Sequence, residues 1–278
     1  MSLRIVSLLT LSVVLAGCQM ASPPADKETG VADTSEAADT EEAASALELP
    51  LKDVTERNAK YLIGITYPAA ASQHRKLAQA LFDYAEGARR DLEDAVKLAG
   101  DLVGSGGNTY DLSLNFIELM NSPAAVVVAV DGSLYTGGAH GMPLIARFTY
   151  LPQEDRMLTP QALIPEHSGW LAVSDYVRKQ LATQVETRLE EDEVPLAERA
   201  EITRSASNMI EEGTMPQAEN FAQFEPIPAA DGKWLGLRFV FPPYQVGPYS
   251  DGTQSVDVPA AVLRPHLAPQ YRAMFTGN

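Results

Sequence analysis

Cysteine is almost absent from this chain: its 278 residues include one, Cys18, close to the N-terminus. Disulfide bonds and thiolate metal sites elsewhere in the chain are therefore excluded, because each needs cysteine sulfur from at least one further position. A packed hydrophobic core must supply the stability that small cross-linked proteins obtain from disulfides.

Histidine is also scarce, with four residues spread along the chain at His74, His140, His167 and His266. No two of them have the His-x-His or His-x-x-x-His spacing of common zinc sites, although they could still converge in space. Neither a Gly-x-Ser-x-Gly nor a Ser-x-x-Lys motif is present for nucleophilic catalysis. A pair of catalytic carboxylates remains open because acids are plentiful and their separation is spatial. We therefore expect no metal and no cofactor, and we expect binding rather than catalysis, with an enzyme as the open alternative.

The N-terminal apolar stretch, Ile5–Ala16, is shorter than the roughly 20 residues that a membrane-spanning helix needs. A short basic lead precedes it and the small residues Leu-Ala-Gly follow, which predicts a signal peptide over residues 1–18. Leu15–Cys18 resembles a bacterial lipobox, and the resemblance implies that Cys18 becomes the lipid-modified (palmitate-bearing) first residue of the mature protein. By the same resemblance, Gln19, at the position where an Asp would retain the protein in the inner membrane, implies the periplasmic face of the outer membrane in a host that has two membranes.

Basic residues are few: 21 Lys and Arg stand against 37 Asp and Glu, a net charge of −16. Residues 19–50 hold eight acids and one lysine, are rich in Ala, Ser, Thr and Pro, and lack apolar periodicity. This composition predicts a disordered acidic tether. Without the tether and Arg4, the remainder carries −10. Nucleic acid and anionic headgroups are disfavoured as partners of that remainder, whereas a basic protein or a cation is compatible with it.

Hydrophobic patterning predicts the elements of the rest of the chain. Residues 60–67 alternate and predict a first strand, and apolar residues spaced three and four apart from Leu77 to Leu102 predict a long helix. Three strands follow, within residues 110–119, 124–136 and 143–151. Two helices come next, the second ending at Gly213, and then three strands and a short helical turn. The fold class is therefore α+β, with helices covering a largely antiparallel sheet and a long first helix after strand one.

The stretch "LYTGGAHG" (Leu134–Gly141) connects two of the predicted strands. Its glycines could expose backbone N–H groups to a ligand, with His140 transferring protons and the ring of Tyr135 forming one side of the site. Alternatively, Gly137 and Gly138 provide positive φ or a bulge while His140 donates to a nearby carbonyl, which locks the hairpin. A lone histidine on a connection more often has the structural role, so the sequence favours the second interpretation.

A second stretch, "PPYQVGPYSDG", lies between the last two predicted strands. Its prolines and glycines predict a tight excursion of the chain. Tyr244, Tyr249 and Asp251 on it are candidates for a recognition rim or, as the sequence favours, parts of a pinned loop.

"YTGGAHG" and "FVFPPYQVGPYSDG...VDVP", in this order, resemble motifs of the paired extracellular domains of RsiV anti-sigma factors and of the N-terminal region of the deacetylase PdaC. The resemblance implies a PdaC-type α+β half over residues 51–150 and an RsiV-type half over 151–278. RsiV proteins are lysozyme receptors, and PdaC joins such a region to a separate catalytic domain. Neither a cytoplasmic signalling segment nor an Asp-Asp dyad with a His-x-x-x-His pair is found here, so signalling and deacetylation do not carry over.

We therefore expect a lipid-anchored cell-envelope lipoprotein that binds a peptidoglycan-related ligand or a protein such as a muramidase. The alternative is a peptidoglycan hydrolase or deacetylase that uses His140 with carboxylates. The expected lipidation site is Cys18. The candidate ligand-binding residues are Tyr135, Gly137, Gly138, His140, Gly141, Tyr244, Tyr249 and Asp251.

Overall fold

The computed structural model describes residues 51–104 and 109–277. The predicted signal peptide (1–18) with Cys18 and the predicted tether (19–50) lie outside the described residues. The described residues all belong to one compact unit. The boundary that the resemblance places between residues 150 and 151 stays a prediction.

The first sheet has six strands that neighbour one another in chain order. They are β1 (Val54–Arg57), β2 (Tyr61–Thr66), β3 (Tyr110–Asn121), β4 (Val126–Tyr135), β5 (Met142–Leu151) and β6 (Arg156–Met157). All neighbours are antiparallel except β2 and β3, which run parallel because the long helix α1 (Arg75–Ala99) returns the chain to the same end of the sheet. The strand predicted as first is the second, since the four-residue β1 precedes it and pairs with it.

Helix α1 covers one face of this sheet with the predicted apolar stripe. Leu77, Leu81 and Leu92 are fully buried there, as expected for positions repeating at helical spacing. The stripe was expected to reach Leu102, but the helix ends at Ala99 and Gly100 continues with a φ of +59°. Leu102 is 78% exposed, because beyond the helix end its spacing no longer places it on the buried face.

The rest of the chain forms a three-stranded antiparallel sheet with helices beside it. The helices are α2 (Pro160–Leu163), α3 (His167–Glu191), α4 (Leu196–Gly213) and α5 (Ala260–Leu263). The strands are β7 (Phe224–Pro228), β8 (Trp234–Phe241) and β9 (Gln254–Pro259), in the order β7-β8-β9. The predicted α+β fold, with a mostly antiparallel sheet, is confirmed; the sequence did not distinguish one sheet from two.

Strand β4 faces two hydrophobic cores. Val126, Val128 and Val130 belong to the core under α1, whereas Val127 and Ala125, which directly precedes the strand, belong to the core of the second sheet and its helices. Because successive side chains of a strand point to opposite faces, the uninterrupted apolar run of β4 is the pattern of a strand buried on both sides.

A partly buried ion pair also joins the two sheets. Arg147 on β5 donates through Nε to Glu225 Oε2 on β7 at 2.9 Å, and the two side chains are 9% and 15% exposed. The backbone N–H of Arg147 donates to the side-chain oxygen of Gln223 at 2.7 Å. These two contacts link β5 to the start of β7.

Of the helices in the described ranges, none combines the length and the apolar character that a bilayer span requires.

Candidate functional site

The glycine-rich connection is a hairpin between β4 and β5. Gly137 and Gly138 have φ values of +98° and +97°, in the left-handed region that favours glycine. The Tyr135 hydroxyl donates to the Gly138 carbonyl at 3.2 Å and closes the turn. This geometry matches the structural role proposed for the glycines, and it also leaves His140 exposed at the tip.

The second loop, between β8 and β9, is tightly folded on itself and on α4. Tyr244 has a φ of +74°, unusual for an aromatic residue, and its N–H donates to the Gly247 carbonyl at 2.9 Å. The Gln245 amide donates to the carbonyls of Gly213 and Asn220 at 2.9 and 2.8 Å. The loop is therefore pinned by its backbone and by Gln245, which leaves the Tyr244 ring at the surface.

The hairpin and the loop meet through three rings, His140, Tyr244 and Tyr249, which we call the aromatic cluster. The imidazole of His140 stacks on Tyr249 with a centroid distance of 3.7 Å and an interplanar angle of 13°. Tyr244 lies 5.8 Å from Tyr249 and 6.3 Å from His140, tilted by 35° and 32°. Two motifs about a hundred residues apart thus form one surface.

Both imidazole nitrogens of His140 have hydrogen-bond partners. Nδ1 lies 3.1 Å from the Gly141 carbonyl oxygen, which can only accept, so Nδ1 is the donor. In the neutral ring Nε2 then accepts from the Tyr244 hydroxyl at 3.2 Å. No carboxylate has a recorded contact with His140 within residues 51–104 and 109–277.

The aromatic cluster is open to solvent. Tyr244 is 56% exposed and Tyr249 is 37% exposed, whereas large aromatic side chains in folded proteins are mostly buried. The fold thus holds two tyrosines and a histidine at the surface in a defined arrangement. Such a surface offers apolar ring faces together with one or two hydroxyl groups for hydrogen bonding.

Asp251 lies on the same loop but pairs elsewhere. Its Oδ2 is 2.7 Å from the guanidinium of Arg188 on α3, and its side chain is 19% exposed. The short 3₁₀ turn Tyr249–Asp251 therefore contributes Tyr249 to the aromatic cluster and Asp251 to a contact with α3. Asp251 is part of the support of the site, and Arg188, which supplies its partner, carried no distinguishing feature in the sequence.

The predicted site residues thus divide into two groups. Seven belong to the hairpin or the aromatic cluster: Tyr135, Gly137, Gly138, His140, Gly141, Tyr244 and Tyr249. The eighth, Asp251, faces α3, and the predicted lipidation site Cys18 lies outside the described residues. Sequence reasoning missed Gln245, which bonds the loop to Gly213 on α4, and Arg188 on α3, which pairs with Asp251.

Among residues 51–104 and 109–277, no three His, Cys, Asp or Glu side chains are placed to hold a metal ion. The side chains nearest His140 are tyrosines, which suit stacking and neutral hydrogen bonds.

Comparison with known proteins finds a DUF3298 domain, described as a protein of unknown function, over residues 171–261. That range includes Tyr244, Tyr249 and Asp251, whereas the hairpin with His140 lies before it. No curated protein matches the chain.

Two solved structures are similar to the chain. A member of the DUF3298 family from Bacteroides fragilis NCTC 9343 is 17% identical, over 79% of this chain and 93% of that one, with a TM-score of 0.48. A DUF3298 family protein from Pseudomonas aeruginosa PAO1 is 14% identical, over 82% of this chain and 96% of that one, with a TM-score of 0.43.

Proposed function

We propose that this protein, which carries a DUF3298 domain, is a lipid-anchored cell-envelope lipoprotein that binds a peptidoglycan-related ligand without catalysing a reaction. The proposal places the lipid on Cys18 and the domain at the periplasmic face of the outer membrane. The lipobox-like Leu15–Cys18 and the resemblance to RsiV and PdaC envelope domains support that location.

The observation that carries the binding role is the exposed aromatic cluster. Glycan rings have apolar C–H faces and a rim of hydroxyl groups, so they match surfaces that combine aromatic faces with a few polar atoms. Tyr244 and Tyr249 supply such faces, and the Tyr244 hydroxyl lies beside them. The positive φ of Tyr244 also supports a binding role, because strained backbone conformations occur more often at functional sites than elsewhere.

The geometry around His140 favours binding over the hydrolase or deacetylase alternative. A general base needs a free ring nitrogen directed at the substrate, often with a carboxylate behind it. Here Nδ1 is bonded to Gly141 and Nε2 to Tyr244, and the described residues place no carboxylate against the ring. His140 is better suited to orient the two tyrosines than to transfer protons.

Net charge favours one second candidate, a cationic muramidase as the bound partner. The chain after the tether carries −10, and opposite charges on two proteins raise their association rate. This binding would weaken steeply with rising salt, whereas stacking of a neutral sugar on tyrosine would change little.

Retention on purified sacculi tests the binding role. Tyr244→Ala and Tyr249→Ala should reduce retention by about tenfold or more, because each removes a main contact face. Phe82→Ala is the matched control, since Phe82 on α1 is 37% exposed, the same as Tyr249. Equal retention of all three variants and the wild type would rule out the aromatic cluster as the contact surface.

Two further measurements separate the alternatives. Soluble muropeptides or acetate released by the wild type but not by His140→Ala would establish catalysis and overturn the non-enzymatic proposal. Titration with a muramidase at increasing salt tests the protein partner, which is rejected if no complex forms at low ionic strength.

The lipid anchor has its own test. Cys18→Ser should release the protein from membranes, because a serine cannot take the thioether-linked lipid. Unchanged membrane retention of Cys18→Ser would contradict the anchor and leave the binding role untouched.

A further inference from the structure

A cavity of about 360 Å³ lies between α3, α4 and the loop that carries Tyr244 and Tyr249. We call it the α3–α4 cavity. Its volume is within the range of small-molecule sites, about 300–1,000 Å³. It is distinct from the aromatic cluster, since none of the three cluster residues lines it.

The floor of the α3–α4 cavity is aliphatic. Leu181 and Val185 come from α3, Ala206 and Ile210 from α4, and Val246 from the loop. Each helix contributes residues four positions apart, which lie on one face of a helix. Four of the five are less than a tenth exposed, so the floor is a continuous part of the core surface.

The rim carries charges of both signs. Arg188 is 34% exposed, and among the described residues the Asp251 carboxylate is the one recorded partner of its side chain. A guanidinium has five N–H donors, so most of those on Arg188 remain for a ligand. Glu191, the last residue of α3, lines the same rim and provides a second carboxylate.

This combination selects a class of ligand. A simple anion would meet the carboxylates of Asp251 and Glu191, and a simple cation would meet Arg188. An uncharged apolar molecule would contact the floor but pair with neither Glu191 nor the remaining N–H donors of Arg188, whose pair with Asp251 is already formed. A ligand that has a carboxylate for Arg188, an ammonium for the acids and an aliphatic part for the floor satisfies all three.

We propose that the α3–α4 cavity binds a zwitterionic amino acid or dipeptide with an aliphatic side chain. The ligand carboxylate pairs with Arg188, and its ammonium group pairs with Glu191 and with the Asp251 carboxylate, whose Oδ2 pairs with Arg188 and whose Oδ1 also accepts from Ser250. The aliphatic side chain contacts Leu181, Val185 and Ile210. This inference does not depend on the proposed function, because it uses other residues and a different ligand chemistry.

Calorimetric titration of the full chain with L-leucine and with leucyl-leucine tests the proposal and distinguishes the free amino acid from the peptide. One of the two should bind at millimolar concentration or below. N-acetylleucine, which lacks the ammonium group, and leucinamide, which lacks the carboxylate, should bind at least about tenfold more weakly. Glycine, which lacks the side chain, should not bind detectably.

Variants locate the site. Ala206→Leu fills the cavity without changing its charges and should abolish binding, whereas Ala200→Leu, at an exposed position of the same helix, should leave binding unchanged. Arg188→Gln should weaken binding at least about tenfold, because it removes the positive charge opposite the ligand carboxylate. Tyr244→Ala should not affect it, which separates this site from the proposed glycan site.

The proposal is overturned if neither leucine nor leucyl-leucine binds, or if Ala206→Leu binds as well as Ala200→Leu. Binding of N-acetylleucine or leucinamide as tight as that of leucine would also overturn it, because the zwitterion would then have no role.

Discussion

The imidazole of His140 lies parallel to the ring of Tyr249, 13° apart in orientation and 3.7 Å between centroids. One ring comes from the hairpin between β4 and β5 and the other from the loop between β8 and β9. The contact joins the two sheets at the surface, as Arg147 and Glu225 join them in the interior.

His140 should carry its proton on Nδ1 when the ring is neutral. The Gly141 carbonyl can only accept, and the Tyr244 hydroxyl then donates to Nε2. Nitrogen-15 NMR of the side chain distinguishes the two tautomers. Tyr244→Phe should shift the Nε2 resonance toward that of an unbonded imidazole nitrogen and leave Nδ1 protonated. A neutral ring with its proton on Nε2 would contradict the geometry.

Removing Arg147 should destabilise the protein. Arg147→Met takes the closest partner from the 15% exposed Glu225 carboxylate and leaves it Arg238 at 3.7 Å, so we expect a loss of about 1–3 kcal/mol, the cost of a lost hydrogen bond to a charged group. Chemical denaturation measures the loss as a lower free energy of unfolding.

Lys97→Met is the control for Arg147→Met, because the Lys97–Asp94 pair is 72% and 74% exposed and solvent screens it. The control should unfold at the same denaturant concentration as the wild type. A similar loss for both variants would show that burial of the Arg147 pair has no special effect.

Gly213 should not tolerate a side chain. A Cβ at Gly213 would lie 1.9 Å from the Gln245 carbonyl oxygen, so Gly213→Ala must displace the loop that carries Tyr244. We expect a loss of about 1–3 kcal/mol in unfolding free energy, together with weaker retention on sacculi.

Gly87→Ala is the matched control for Gly213→Ala. The nearest atom to a Cβ at Gly87, within helix α1, is the end of the Arg90 side chain at 3.9 Å. This substitution should stabilise the protein by about 0.5–1 kcal/mol, because alanine favours the helix. Two variants of equal stability would contradict the close approach of Gly213 to the loop.

Stability should decrease at alkaline pH. Burial raises the pKa of Tyr67, Tyr84 and Tyr150 from 10.0 to about 12, and nearby carboxylates add to the effect. Between these values the folded protein keeps protons that the unfolded chain has lost. The free energy of unfolding therefore falls as pH rises from 10 toward 12, and it is unaffected by these groups below pH 10.

Denaturation at a series of alkaline pH values measures this slope. Tyr84→Phe should reduce it, since phenylalanine cannot ionise, and an unchanged slope in this variant would contradict the contribution of Tyr84.

The sequence predicted the elements that repeat a clear pattern. The apolar stripe from Leu77 to Leu92 predicted α1, and Gly213 predicted the end of α4. Both signals depend only on residues close together in the sequence. The short β1 was missed, since four residues carry too little alternation and are strand only by pairing with β2. Leu102 was placed on α1 wrongly, because the pattern continued past the turn at Gly100.

The candidate residues were chosen from two separate motifs without evidence that they touch. The structure brings His140 and both tyrosines into one cluster, and it directs Asp251 to Arg188. Their contact depends on how the first sheet and the second sheet are placed, which no local pattern encodes. The same holds for the α3–α4 cavity, whose lining comes from two helices, a loop and a strand.

The sequence by itself determined the composition-dependent properties of this protein: the lack of cross-links, the acidic charge, the α+β class and the two glycine- and proline-rich turns. These follow from local propensity and from counts of residues. Only the tertiary structure decided that β4 is buried on both faces, that Arg147 pairs with Glu225, and that His140 stacks on Tyr249. Each of these contacts joins residues far apart in the chain. Such contacts stabilise the protein only after the chain between them has folded, because closing a long loop costs entropy.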